Sequence, residues 1–518
     1  MSPSATRSTP APSPPWGAIA VSTFGAIVGA TMPLAVILSM PDIAGGLSAS
    51  ADEASWVTTL YNVGVLAGLP AAVGLAFILG RGRAMQICGL GFALTSLASG
   101  VGSSLPWIFL WRFAQGFFGG ALPLLMMLIA LTSLPPGRRQ LQGLTLFAVS
   151  TTLGVGIAAW TADALIAVGG WRALFTSQAI AGAIYTLLSF LVLRGERGKR
   201  EMLQTFDWSS FVMLSAGLGL IVVFLSEGER RFWLEKWWIA ASLACGLIFI
   251  AFAIRSLREA KRPLLTLAIF SKPTFTWAIV LQVVYRFGTL FALFIAPQYL
   301  ARLQGFRTEQ LASVMLVMAA ATLLATPLAY RMTAKADPRI ALSVGLVTIA
   351  VAAAMCIRIT TEWAANEFLL PFALAGVGQA LFSVATMRYA VFEATLQDGP
   401  SRGIVFNVAR TFGLVGGIAL TSHAIVEREK FHSAMLSDAI TTLEPATLER
   451  VAASTRALGV WVSDAASAQR GAFAGIAQSA TKQAYALAFQ DAFLIASVVL
   501  AGAALLVWAL PALPRENT

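Results

Sequence analysis

Charge is what this sequence has least of: only 12% of its 518 residues are Asp, Glu, Lys or Arg, about half the share of a water-soluble domain. A chain that is 57% hydrophobic, with mean hydropathy +0.76, cannot cover a water-facing surface with so few charges. Its surface must face lipid. The three cysteines, Cys88, Cys245 and Cys356, lie in separate apolar runs without metal-ligand spacing or an obvious disulfide partner, and read as small core residues. His423 and His432 have no zinc-site spacing. A nucleotide loop is missing too: Gly217-Leu218-Gly219 falls mid-span, with no strand before it and no lysine after it. An ATP-driven pump is therefore disfavoured. With neither a catalytic triad nor a metal motif, no enzyme and no cofactor are expected, and a proton gradient is the energy source in view.

What charge there is carries topology. The net charge of +11 might suggest nucleic acid, but Lys and Arg form no stripe or aromatic-interleaved patch; they cluster between apolar runs. No nucleic-acid partner is expected. A span needs roughly 20 apolar residues to cross the hydrocarbon core. That ruler places helices at about 17–40, 55–79, 84–104, 107–131, 142–165, 171–193, 208–226, 237–255, 275–300, 310–332, 339–357, 367–388, 402–424 and 487–510. The expectation is an all-α membrane protein of fourteen spans, ordered six, two and six. Residues 1–16, MSPSATRSTPAPSPPW, read as a disordered cytoplasmic tail, and no cleavable signal precedes the first span. An N-terminal six-helix bundle covers 17–193, and a linker with two extra helices covers 194–272. A second bundle covers 273–424 and 487–510, a long loop 425–486, and a cytoplasmic tail 511–518. Arg81 and Arg83, Arg138 and Arg139, the Arg194–Arg200 run, Arg255–Lys272 and Arg331–Arg339 fall on one side, whereas Asp42, Asp52 and Glu53 lie opposite. Both termini are expected in the cytoplasm of a cell bounded by an inner membrane.

Charges inside spans are costly, about 2.5–3.5 kcal/mol each at the centre, and so are functional candidates. Arg112 and Asp163 fall at similar depth in the outer third of neighbouring spans, and are expected to form an ion pair or to face one aqueous vestibule. Separation of such a pair would release the carboxylate's proton affinity, making Asp163 a candidate proton carrier; the bland alternative is a solvated residue at a helix end. Gln115 joins this coupling group. A substrate cavity is drawn from mid-span polar and aromatic residues: Phe24, Tyr61, Asn62, Trp160, Gln282, Arg286, Phe287, Phe291, Gln379, Asn407 and Arg410. Each alone is better explained by packing or interhelix bonding. Together they suggest an apolar pocket with a few polar anchors, two of them cationic. Gly25/Gly29, Gly64/Gly68, Gly116/Gly120 and Gly413/Gly417 have the spacing that lets helices approach closely. Ser50-Ala51-Asp52-Glu53 reads as a capping box. The 425–486 loop has apolar residues at helical spacing (Phe431, Met435, Leu436; Leu448, Val451, Leu458) and is expected to be a periplasmic helical excursion.

An ordered series of motifs then resembles a known family over nearly the whole chain. It runs ASWVTTLY (Trp56, Tyr61), RFAQGFFGG (Arg112, Gln115, Gly116, Gly119, Gly120), Trp171-Arg172 with Phe175, Phe206-Asp207-Trp208 and Ser226-Glu227-Gly228. RPLL from Arg262, QYL from Gln298 and NVARTFGLVGG from Asn407 complete it. With the six-two-six layout, this is similar to the fourteen-helix drug/proton antiporters of the major facilitator superfamily. The resemblance implies two six-helix bundles around a midplane cavity, proton-linked export of amphipathic or toxic small molecules, and alternating access. The long loop is similar to that of Gram-negative members, which work with a periplasmic adaptor and an outer-membrane duct. The departures are specific. Met32 stands where the family's first helix carries an acid. Val73 and Phe77 replace the usual glycine and acid before Gly80, Arg81 and Arg83. Ala158-Ala159 and Ala162-Asp163 replace the fifth-helix Gly-Pro and Gly-Gly. Two other readings stay open: an exporter dedicated to one metabolite (a siderophore, or an aromatic or fatty acid), and a transporter-like sensor or assembly protein.

Overall fold

The computed structural model describes residues 16–193, 198–395, 397–440 and 444–513, with the side chains of 200, 308 and 309 left out. Most of both expected tails, and Arg194 to Arg197, lie outside the described residues. The described chain is helical without strands. Its long helices are α1 Trp16–Leu38, α2 Ala51–Leu79, α3 Arg81–Val101, α4 Leu105–Ser133, α5 Arg138–Ser189, α6 Trp208–Glu227, α7 Trp237–Glu259 and α8 Pro273–Gln304. They continue as α9 Thr308–Lys335, α10 Pro338–Met355, α11 Leu369–Val391 and α12 Gly399–Ala439. A shorter α13, Pro445–Gly459, precedes α14, Ala465–Leu506.

Thirteen of these helices are long and apolar enough to cross a membrane, and one of them carries two spans. At 52 residues and about 1.5 Å per residue, α5 would be more than twice the roughly 30 Å hydrocarbon thickness. It breaks at Gly169 and Gly170, where Gly170 takes φ 64°, a conformation that favours glycine. Gly143 near the start of α5 packs on Leu134, whereas Gly82 at the start of α3 packs on Leu193 beyond its end. Both ends of α5 therefore return to the basic end of the molecule and the Gly169–Gly170 break lies at the other. The fourteen expected crossings are accounted for in this way.

Small residues set how close the helices come. A methyl group on Gly64 or Gly68 of α2 would overlap the backbone of Phe113 or Phe117 on α4, and one on Gly116 would overlap the backbone of Tyr61. Lipid gives helices no hydrophobic reason to associate, so such backbone contact is where their attraction comes from. In the second half, Gly413 of α12 lies against α8, its missing Cβ 2.8 Å from Arg286 Cβ and 3.1 Å from the Val283 carbonyl oxygen. The start of α2 has the expected capping box, with Ser50 and Glu53 satisfying each other's backbone amides. Those hydrogen bonds from Ser50 hold the Glu53 carboxyl below its usual range.

The two halves meet along α5 with α9 and α11, and along α2 and α4 with α12. Helices α6 and α7 pack on each other, with α6 docked on α2 and α12. The 425–486 segment differs from a separate excursion. Residues 425–439 and 465–486 are continuations of the flanking α12 and α14, with α13 laid on α14. Arg428 and His432 on α12 both reach Asp491 Oδ2 on α14, at 2.6 and 2.7 Å, and clamp the two extensions together.

Candidate functional site

Arg112 is fully buried, and the residues around it form a network through the first bundle. Its Nε donates to the Val57 carbonyl oxygen on α2 at 3.0 Å, and its Nη1 to Gln115 Oε1 at 2.6 Å. The guanidinium lies 4.3 Å above the centre of the Tyr61 ring. Gln115 Nε2 donates on to Ser96 Oγ of α3 at 2.6 Å and to Gln178 Oε1 in the second half of α5 at 2.7 Å. One arginine and one glutamine thus tie four helices together. The expected Arg112–Asp163 ion pair is not formed. Arg112 points toward α2 and toward Phe175 in the second half of α5, while Asp163 is half buried and has neither a hydrogen bond nor an ion pair among the described residues. Arg112 is consequently a buried cation without a carboxylate. Isolated buried charge costs several kcal/mol even after relaxation, so its retention points to function.

Asp163 lies elsewhere, on a stripe of α5 whose preceding turns meet the other half. Thr152, Gly156, Ala159 and Asp163 fall on one stripe of α5 at the helical repeat. The Thr152 carbonyl oxygen accepts from Gln379 Nε2 of α11 at 3.4 Å. The missing Cβ of Gly156 would sit 2.7 Å from Ala319 of α9. Ala159 is buried within the core of the second half. Trp160 falls off this stripe and is 52% exposed.

The remaining expected cavity residues divide. Phe24 packs on a core cluster that draws on both halves. Phe291 is buried edge-on to Phe372 at 6.1 Å and, with Val155, Met318 and Gln379, lines a small cavity between the halves. Phe287 lends its backbone to the close approach of Gly417. Asn407 Nδ2 donates to the Gly403 carbonyl oxygen of its own helix at 2.9 Å. Asn62 is partly exposed beside Tyr61. Gln282 and Arg286 are buried on α8, and Arg410 is half buried on α12. Arg410 is near enough to Arg286, Tyr285 and Tyr61 to interact electrostatically with all three. That cluster joins α2 of one half to α12 of the other, with α8 packed on α12.

Sequence reasoning missed several buried polar residues. Gln178 completes the Arg112 network, and its only signal was an amide inside an apolar run. Arg402, fully buried, donates to the carbonyl oxygens of Ala390 and Phe392 at 3.0 and 2.8 Å, closing the C-terminus of α11 with a cation. Glu227 ends α6 and is the one fully buried carboxylate among the described residues. It accepts from Thr59 Oγ1 at 2.7 Å and Ser55 Oγ at 3.1 Å, with Arg231 Nε 3.7 Å away. It joins the extra helix pair to α2. Glu227→Ala would remove the charged acceptor of Thr59 and Ser55 and the carboxylate beside Arg231, leaving the hydroxyls only their local bonds to the Ser55 and Asp52 carbonyl oxygens; hydrogen bonds to a charged group are worth about 1.5–3 kcal/mol each. A clear fall in Tm in detergent is expected, with Glu227→Gln, which still accepts from the hydroxyls, falling much less.

A multi-pass helical bundle whose two halves meet at a seam with buried cations has the architecture of a membrane transporter. The chain belongs to the Major Facilitator Superfamily, whose family model matches residues 18–421. It is similar to the multidrug export protein EmrB of Escherichia coli strain K12, 23% identical over 516 residues, covering 95% of this chain and 94% of that one. It is likewise similar to the colistin resistance protein EmrB of Acinetobacter baumannii, 23% identical over 82% of this chain and 83% of the relative. A third relative is the tetracenomycin C resistance and export protein of Streptomyces glaucescens, 25% identical over 78% and 75%. Among solved structures, the fold matches the proton:xylose symporter XylE, with TM-score 0.60 and 11% identity over 96% of each chain. It also matches a POT family transporter in complex with a thioalcohol-conjugated peptide, with TM-score 0.62 and 13% identity over 95% of each.

Proposed function

We propose that this protein exports amphipathic small molecules across the inner membrane in exchange for protons. The carrying observation is the position of the buried cations and unpaired polar groups where the two halves meet, in a chain whose similar proteins include named drug exporters. The halves touch through small residues, such as Gly156 on Ala319, which suits one bundle rocking against the other about a central site. Both termini lie on the cytoplasmic side in this reading, with the α12 and α14 extensions in the periplasm. At 41 residues and about 1.5 Å each, α12 overruns a roughly 30 Å core, and the extensions offer a docking post for a periplasmic adaptor leading to an outer-membrane channel.

Asp163 is the proton carrier in this reading. It continues the stripe of α5 that touches α9 and α11, so a change in its charge is felt where the halves separate. Its role does not require Arg112 as a partner. One charge moved through 100 mV supplies about 2.3 kcal/mol, enough for a roughly fifty-fold gradient. The test is cellular: deleting the gene should raise the internal level of lipophilic toxic compounds, and the wild-type gene should restore export. Asp163→Asn should fail to restore proton-driven export. Unchanged accumulation across a broad compound panel after deletion would contradict export, and full restoration by Asp163→Asn would remove the carrier role alone.

A further inference from the structure

The exporter reading leaves open what kind of molecule the centre holds, and the arginines there carry information on it. Arg286 is 5% exposed, and its Nε is buried without a hydrogen-bond partner. Arg410 Nη1 is likewise buried and unpartnered. Among the described residues neither guanidinium forms an ion pair or donates a hydrogen bond, and the two repel each other as neighbouring like charges. Gly413 brings α12 onto the Arg286 Cβ and so holds the two backbones close. The hydroxyl of Tyr61, reaching in from the other half, is also buried and unpartnered. Tyr285 stacks on Phe382 at 4.2 Å and shares a 3.4 Å hydrogen bond with Ser383, giving the cluster an aromatic wall.

Arg410 thus neighbours both Arg286 and Tyr61, and three groups able to donate, two of them cationic, gather with no carboxylate among the described residues to neutralise them. Buried donors without partners each cost about 1–3 kcal/mol, and a pair of unneutralised cations adds to that. A ligand that supplied negative charge and acceptor oxygens would satisfy all three at once. The guanidinium fork matches a planar carboxylate in both geometry and charge.

We propose that Arg286, Arg410 and Tyr61 form a binding site for the anionic head of an amphipathic organic acid. Its apolar body lies against the aromatic wall of Tyr285 and Phe382. The proposal rests on the exporter reading for its purpose, but the site can be tested without transport. It also differs from a general multidrug pocket, which would discriminate little between head groups. Because Tyr61 belongs to the first half and both arginines to the second, a bound anion would bridge the halves and favour their closure.

Three probes with one naphthalene body separate the possibilities: 2-naphthoate, its neutral methyl ester and the cationic 2-naphthylmethylammonium. Binding is measured by tryptophan fluorescence on the full-length protein in phosphatidylcholine nanodiscs. The naphthoate should bind at least ten-fold more tightly than the ester, and the cation least. Arg286→Met and Arg410→Met should each bring naphthoate and ester to within about three-fold, about 0.7 kcal/mol, of each other. Equal affinities for the three probes on the wild-type protein overturn the site, whatever the variants do. Added phosphatidylglycerol should leave naphthoate binding unchanged; displacement of naphthoate by that lipid would assign the arginines to a headgroup and overturn the proposal. The two readings fail separately. Export of neutral compounds without head-group preference sinks the anion site and leaves the exporter standing. Arginine-dependent naphthoate binding in a protein that moves nothing sinks the exporter and leaves the site.

Discussion

Arg112→Met is expected to abolish transport, at least ten-fold below wild type, while leaving Tm unchanged or raised. The two effects separate because of where the charge sits. The guanidinium is fully buried, bonded to a backbone carbonyl and to Gln115, and faces no carboxylate. Removing a buried charge that has no counter-ion relieves a desolvation cost of several kcal/mol, which offsets the lost hydrogen bonds to Val57 and Gln115. Methionine fills most of the space, and Gln115 keeps its bonds to Ser96 and Gln178. What is lost is a fixed positive field beside Tyr61. Arg112→Lys keeps a charge but not the fork that spans Val57 and Gln115, and is expected to recover little activity. Substrate flux together with thermal unfolding in detergent checks both. A large drop in Tm with Arg112→Met would make the residue a structural tie and remove its role in transport.

Gly156→Leu is expected to stop transport as completely, by a different route. A Cβ at this position already sits 2.7 Å from the Ala319 Cβ and backbone nitrogen, so a leucine must push α9 away from α5. Overpacking of this kind costs about 1–3 kcal/mol. Here the cost falls on the seam between the halves and spares the core of each. The protein should remain folded yet fail to reach the state in which α5 and α9 touch. Flux should fall at least ten-fold, with spin-label distances across the seam shifted outward. Gly502→Leu is the control: it meets nothing within 4 Å and should be silent. Wild-type flux in Gly156→Leu would mean that this contact is not part of the cycle.

The fold was legible in the sequence because lipid imposes simple demands: span length, charge placement and small residues at contacts. The glycine spacings even pointed to backbone contact, and Gly64, Gly68 and Gly116 do bring α2 onto α4. Hydropathy marks where lipid ends, however, not where a helix ends. Past residue 424 the segment to Ala439 has neither glycine nor proline, so nothing stops α12 at the membrane boundary, and the expected separate excursion becomes a continuation. The Arg112–Asp163 pairing failed on azimuth. Depth along a helix can be counted from residues, but which neighbour a side chain faces depends on how helices are rotated and packed. That rotation turns Arg112 toward α2 and Phe175 and puts Asp163 on a different stripe of α5. Arg286, Arg410 and Tyr61 were each visible as polar residues inside spans, but their nearness needed the close approach of α12 to both α8 and α2.

The most direct test is flux through the purified protein in sealed proteoliposomes with an imposed pH gradient, following substrate and internal pH together. Wild-type protein should accumulate an amphipathic substrate against its gradient while protons leave in exchange, and Arg112→Met should do neither. Folded wild-type protein that binds substrate but moves neither substrate nor protons would contradict the account.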